Sequence, residues 1–90
     1  MRHVVNEDKV VKVLCKLPIE IRSAYSVWRD IVLEDGLKGL RMVKGFHFEK
    51  LKGNRFGQCS CRLNRGYRVI FEKQKNNFTV VVLEVTKHEY

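Results

Sequence analysis

The stretch that decides the fold is residues 58–73, Gln58-Cys59-Ser60-Cys61-Arg62-Leu63-Asn64-Arg65-Gly66-Tyr67-Arg68-Val69-Ile70-Phe71-Glu72-Lys73. Cys59, Cys61 and Leu63 alternate with Gln58, Ser60 and Arg62, the period-two pattern of a strand with one buried face, over residues 58–64. Tyr67 to Lys73 is rich in β-branched and aromatic types and reads as a second strand. The connection sets the register. A three-residue loop, Asn64-Arg65-Gly66, with Gly66 in the left-handed region, pairs Leu63 with Tyr67 and Arg62 with Arg68. A two-residue Arg65-Gly66 loop pairs Arg62 with Val69 and splits the arginines. Like charges side by side on a sheet are unfavourable unless an anion sits between them. The three-residue loop is the favoured reading, and it places both arginines on one face.

Further along, Phe78 to Val85 is apolar on both parities, as expected of a central strand, and Lys75-Asn76-Asn77 supplies the turn before it. Towards the N-terminus, Asn6 reads as a helix cap before Glu7 and Asp8, with Val10, Val13, Leu14 and Leu17 at helical spacing. Pro18 opens a second helix to about Glu34, with Ile21, Ala24, Tyr25, Trp28, Ile31 and Val32 on one stripe and Asp35-Gly36 as its stop. Leu37 to Val43 allows a brief helix, Gly45 breaks it, and Gly53-Asn54 is a turn. The expected architecture is α+β: a helical hairpin over about residues 6–35, packed on a small, mainly antiparallel sheet over about 58–85. A short edge strand at residues 2–5 is compatible with this single domain of residues 1–90. Tyr25 and Trp28 read as core, and Cys59 and Cys61 as small buried hydrophobes opposite Arg62.

Composition narrows the function. Leu, Ile, Val and Phe make up a third of the 90 residues, above the level at which disorder is the default. No apolar run approaches the length needed to span a membrane. The first residues turn polar at Asn6 and do not read as a signal peptide, and three cysteines without metal-ligand spacing fit a reduced, cytoplasmic compartment. The net charge is +8, and its distribution is uneven. The 22 residues from Lys50 to Phe71 contain no Asp or Glu and carry +6, from Lys50, Lys52, Arg55, Arg62, Arg65 and Arg68. Such a window favours polyanions and acidic partners.

The ordered series Leu51-Lys52-Gly53, Arg62-Leu63-Asn64, Tyr67-Arg68-Val69-Ile70-Phe71 and Val85-Thr86-Lys87-His88-Glu89-Tyr90 resembles the RelE/ParE toxin superfamily. It is closest to the HigB- and RelE/StbE-type toxins of bacterial type II toxin–antitoxin systems. The carboxyl-terminal half matches in order and spacing; the helices match in position and length only. The resemblance implies a RelE-like fold and a ribonuclease that cuts mRNA, often in the ribosomal A site. It also implies a cognate antitoxin covering the basic cleft, with operator DNA bound only through the antitoxin. ParE-like relatives poison DNA gyrase instead and usually lack the terminal His/Tyr chemistry. A catalytically inactive, antitoxin-binding homologue is the third reading.

RNA can be cleaved without a metal or cofactor when its 2′-hydroxyl attacks the adjacent phosphorus, which calls for a base, cations and an acid. By resemblance, Arg68 holds the scissile phosphate, Glu49 matches a carboxylate general base and His88 a general acid. Tyr90 orients the nucleophile or stacks on a base, and Lys87 supplies charge at the leaving group. Arg62 is expected to clamp phosphate beside Arg68, and Lys50, Lys52, Arg55 and Arg65 to attract the RNA backbone. The blander alternatives are a surface ion pair for Glu49 and solvated edges for the lysines. His47, between Phe46 and Phe48, and His3, near the N-terminal edge, are weaker candidates.

Overall fold

Strand parity along residues 59–63 turns the cysteines and Leu63 to the core side of a sheet and Ser60 and Arg62 to the other, with Ser60 buried and Arg62 half-buried. The computed structural model describes residues 3–76 and 78–87. Among these, β1 (Val4–Asn6), β2 (Glu49–Lys50), β3 (Cys59–Arg62), β4 (Tyr67–Lys73) and β5 (Thr79–Lys87) form one sheet in the order β1-β5-β4-β3-β2. Only β1 runs parallel to its neighbour; the other pairings are antiparallel. Three helices accompany the sheet: α1 (Val11–Leu14), α2 (Ile19–Asp35) and α3 (Leu37–Arg41). The α+β architecture and the N-terminal edge strand are as the sequence led us to expect.

The core forms where the apolar stripe of α2 meets one sheet face. Ile21, Tyr25, Trp28 and Val32 are buried along the helix, and Cys61, Val69, Phe71, Val80 and Val82 meet them from the sheet. Trp28 stacks on Tyr25, with ring centroids 5.5 Å apart, and meets Phe71 edge-on at 5.1 Å. Pro18 precedes the helix, its carbonyl accepting from the Ile21 and Arg22 amides, and Glu20 sits in the first turn, where a negative charge suits the dipole. Gly36, at φ 67°, ends it; a Cβ there would lie 2.6 Å from the His3 ring.

Two features differ from the expectation and two lie beyond it. The first helix shrinks to the single turn α1, because Asn6 is held in β1 opposite Val81 and the chain must reverse through residues 7–10. Asn6 Oδ1 accepts from the Asp8 amide at 3.0 Å instead of capping a helix, and Val10, Val11 and Val13 are weak helix formers. The hairpin loop is three residues long, but Gly66 is not in the left-handed region. Asn64 closes it instead, its Oδ1 accepting from the Gly66 and Tyr67 amides at 2.7 and 2.8 Å. Next, a bulge in β5 shifts the β4–β5 register between Ile70 and Phe71, so that Val82 and Val85 both reach the core while Glu84 and Thr86 sit opposite Ile70 and Arg68. Finally, the outer sheet face is not bare. Arg55 reaches across β4 to Glu84 on β5 (2.6 Å) while bonding Gln58 (2.9 Å), and Ser60 and Ile70 on that face are buried. The last residue of the expected Lys75-Asn76-Asn77 turn lies outside the described residues; Asn76 Oδ1 accepts from the Phe78 and Thr79 amides.

Tyr25 carries one of the few side-chain bonds at the core's edge. Its hydroxyl donates to Glu7 Oε2 at 2.5 Å, and Arg29 stands 3.6 Å from the same oxygen. Burial first, and the carboxylate second, push its ionisation well above the ordinary tyrosine range. Above about pH 10 the unfolded chain releases a proton that the folded chain keeps, so stability falls as pH rises, by up to about 1.4 kcal/mol per pH unit from this group. Urea denaturation of wild type and Tyr25→Phe between pH 8 and 11 should show the variant less stable at pH 8 by about 1 kcal/mol and its alkaline slope shallower. Equal slopes would contradict the assignment. Cys61 is fully buried and its thiol is pushed up to about 12 by burial, despite the Trp28 indole N–H beside it, and Cys59 is raised for the same reason. All three cysteines are free and only Cys15 is exposed. One equivalent of thiol reagent should react at pH 8 in the native protein and three in denaturant.

Candidate functional site

The register that Asn64 enforces brings Arg62 and Arg68 directly opposite each other on the outer face of β3 and β4. Glu49, on the edge strand β2, pairs with Ser60 one row away, and its Oε1 lies 3.5 Å from Arg68 Nη1. Arg62, Arg68, Glu49, Ser60 and His47 line a small polar cleft of about 120 Å³. Ser60 forms its floor and is 2% exposed. The Arg68 side chain is mostly covered, while that of Glu49 is half exposed, so the pair contributes at most about 1 kcal/mol. Two guanidinium groups facing one carboxylate leave a formal charge of +1, matched to one phosphodiester.

His47 reaches the cleft for a local reason. A 3-10 turn at Lys44–Phe46 ends on His47, which adopts the left-handed conformation, φ 46° and ψ 51°, and is the one non-glycine residue with positive φ among the described residues. Phe46 is buried and Phe48 packs against Phe71, 6.0 Å between centroids, so the two phenylalanines face the core and the imidazole between them faces out. A non-glycine residue in this region is strained by about 1 kcal/mol or more and is tolerated where its surroundings hold it. The sequence pattern Phe46-His47-Phe48 immediately before Glu49 carries this information, since two aromatic residues committed to the core turn the residue between them outward. Ser60 was visible only as a member of the strand alternation.

The remaining candidates are dispersed. Lys50 faces away from Arg62 and Arg68 and lines a larger cleft, about 670 Å³, between α3 and the β2–β3 end of the sheet. That cleft is larger, but the arginine pair lies outside it. Arg55 is engaged by Glu84 and Gln58. Lys52 and Arg65 are exposed and line neither cleft, and Arg65 occupies the hairpin tip. Lys87 pairs with Tyr67, on the core parity of β5, so the arginine row is completed by Thr86. His88 and Tyr90 lie outside the described residues. Among the described residues no group of three His, Cys, Asp or Glu is arranged to hold a metal ion, and no helix is long and apolar enough to cross a membrane.

The family model for the RelE-like toxin of the type II toxin-antitoxin system HigB matches residues 15–88. The chain belongs to the HigB-like toxin family. It is 37% identical over 59 residues to toxin HigB-1 of Vibrio cholerae serotype O1, a match covering 62% of this chain and 60% of that relative's length. Its fold is similar to that in the archaeal RelE–RelB complex from Pyrococcus horikoshii OT3, with TM-score 0.72, 24% identity and coverage of 97% of this chain and 96% of the other. It is also similar to a chain of the YoeB–YefM complex from Staphylococcus aureus, with TM-score 0.69, 16% identity, and 99% and 100% covered.

The arginine pair gives this HigB-like chain a measurable property. In dilute buffer Arg62→Ala should raise stability by about 0.2–1 kcal/mol, because a cross-strand repulsion is removed. Sulfate should raise the wild-type Tm more than chloride at equal ionic strength, and Arg62→Ala and Arg68→Ala should narrow that difference to the general effect of an excluded salt. An undiminished sulfate effect in both variants would show that the pair does not hold an anion.

Proposed function

We propose that this chain is the toxin of a type II toxin–antitoxin pair and that it acts as a metal-independent mRNA endoribonuclease, with Arg62 and Arg68 holding the scissile phosphate. The observation that carries this reading is the cross-strand arginine pair facing Glu49 across one cleft. Before reaction the cleft's +1 balances the phosphodiester. When Glu49 accepts the proton of the attacking 2′-hydroxyl, its charge is lost and the two guanidinium groups present +2. At that moment the phosphorus acquires its fifth bond and the phosphoryl oxygens approach a charge of −2. Stabilisation therefore grows towards the transition state, as catalysis requires. The 5′-oxygen leaves with a proton, and the products are a 2′,3′-cyclic phosphate and a 5′-hydroxyl. His88, by its family resemblance, and His47, by its place in the cleft, are the candidate donors, since imidazole exchanges protons near neutral pH.

The partner in this reading is a cognate antitoxin. The chains of similar fold from Pyrococcus horikoshii and Staphylococcus aureus were solved in complexes named for two components, RelE–RelB and YoeB–YefM. Operator DNA would be reached through the antitoxin, the site of action would be the cytoplasm, and the A site of the ribosome is where the mRNA would be presented.

Primer extension and end-group analysis on mRNA, with and without ribosomes, test the proposal. Wild type should leave 2′,3′-cyclic phosphate ends. Glu49→Gln should slow cleavage about 10²–10⁴-fold and Arg68→Ala about 10²–10³-fold, with the fold retained. Growth arrest that persists in both variants with intact mRNA and trapped gyrase would replace this reading with that of a ParE-like toxin.

A further inference from the structure

The larger cleft is not used by the chemistry above. Its mouth carries Lys38, Arg41, Lys50 and Lys73, with no acidic residue in its lining, and its one aromatic side chain is Phe56. Phe56 is 86% exposed, the most exposed of the large hydrophobic residues described. It is nonetheless held in place. The loop that carries it bends at Gly53 and Gly57, φ 65° and 93°, its amide donates to the Gly53 carbonyl at 3.1 Å, and the preceding Arg55 is anchored to Gln58 and Glu84 on the opposite side of the sheet. Arg41 is likewise fixed, its guanidinium 4.8 Å above the Phe48 ring. A single aromatic ring presented to water on a braced loop, ringed by cations, is the pattern of a single-strand nucleic-acid platform, in which bases stack and phosphates meet positive charge.

The two clefts lie on opposite faces of the sheet and meet at its edge strand. Glu49 lines the arginine cleft and Lys50, the next residue of β2, lines the larger one. β2 is the outer edge of the sheet, so a chain leaving the arginines can pass around that edge without obstruction by a further strand.

We propose that the larger cleft is a subsite for single-stranded RNA flanking the scissile phosphate, with a base stacked on Phe56 and the flanking phosphates met by Lys38, Lys50 and Lys73. This rests on the ribonuclease reading of the arginine cleft, and its consequence is that the enzyme recognises several nucleotides beyond the bond it cuts.

The test compares a nine-nucleotide RNA, long enough to reach both clefts, with a trinucleotide that spans only the arginines, using kcat/KM for each. An uncleavable 2′-O-methyl nonamer gives Kd directly. Phe56→Ala should raise the nonamer Kd about tenfold and reduce the wild-type preference for nonamer over trinucleotide by the same factor; Phe56→Trp should restore both. The double variant Lys38→Ala/Lys73→Ala should lower the salt dependence of nonamer binding by about 1.4 in the log–log slope. A preference ratio within twofold of wild type in Phe56→Ala, or failure of a cleaving wild-type protein to bind the nonamer, overturns the subsite. So does a Phe56→Ala variant that loses affinity for the antitoxin with unchanged affinity for RNA, which would assign the cleft to the protein partner. Phe56-dependent nonamer binding by a wild-type protein that does not cleave sustains the subsite and removes the catalytic reading instead.

Discussion

Arg62 and Arg68 sit directly opposite each other on two hydrogen-bonded strands, and this juxtaposition of like charges is the constraint around which the rest of the molecule is arranged. It is imposed from below and from the side. Below, Cys61 and Val69, the residues next to the arginines along β3 and β4, are fully buried partners in the core under Trp28, so the strands cannot slip by one residue without exposing the core face. At the side, Asn64 closes the hairpin, its side-chain oxygen accepting hydrogen bonds from the Gly66 and Tyr67 backbone amides. The repulsion is small, about 0.2–1 kcal/mol, and the burial that opposes a register change is several times larger at about 1.5–3 kcal/mol for each large apolar side chain. The fold can therefore keep a cross-strand charge arrangement that is unfavourable on its own.

The edge of the sheet turns that arrangement into a site. β2 is only two residues long, yet it places a carboxylate on one side and a lysine on the other. The 3-10 turn before it commits Phe46 and Phe48 to the core and leaves His47 outward in a left-handed conformation. A carboxylate and an imidazole are thus delivered to the arginines from one short segment whose own burial is supplied by its phenylalanines. The loop after β2 is braced across the outer face by Arg55 and Glu84, which leaves the arginine row open at Thr86 on one side and at Glu49 on the other.

Much of this was legible in the sequence because it rests on periodicity. The alternation of Cys59, Cys61 and Leu63 gave the sheet face, the stripe from Ile21 to Val32 gave the helix that covers it, and the spacing of Asn64 and Gly66 gave the register that pairs the arginines. What escaped was set by tertiary demands. The helical spacing from Val10 to Leu17 holds only in part as a burial pattern, with Val10 and Leu17 buried and Val13 exposed, and β1 claims Asn6 and leaves room for one turn. Gly66 was credited with a left-handed conformation that the Asn64 side chain made unnecessary. Lys50 belongs to the basic window by charge counting and Lys87 to the leaving group by resemblance, and neither argument carries a direction; strand parity separates both from Arg62 and Arg68. The bulge opposite Ile70 has no sequence mark beyond an apolar run that fits either parity.

The central claim is that the two arginines hold the phosphate at which the RNA is cut. A crystal structure of the protein with a short RNA blocked by a 2′-O-methyl group at the scissile nucleotide tests it most directly. The account predicts the scissile phosphate between the Arg62 and Arg68 guanidinium groups, at hydrogen-bond distance from both, with the blocked 2′-oxygen facing the Glu49 carboxylate. A scissile phosphate bound elsewhere, with the arginine cleft occupied only by solvent, would contradict it.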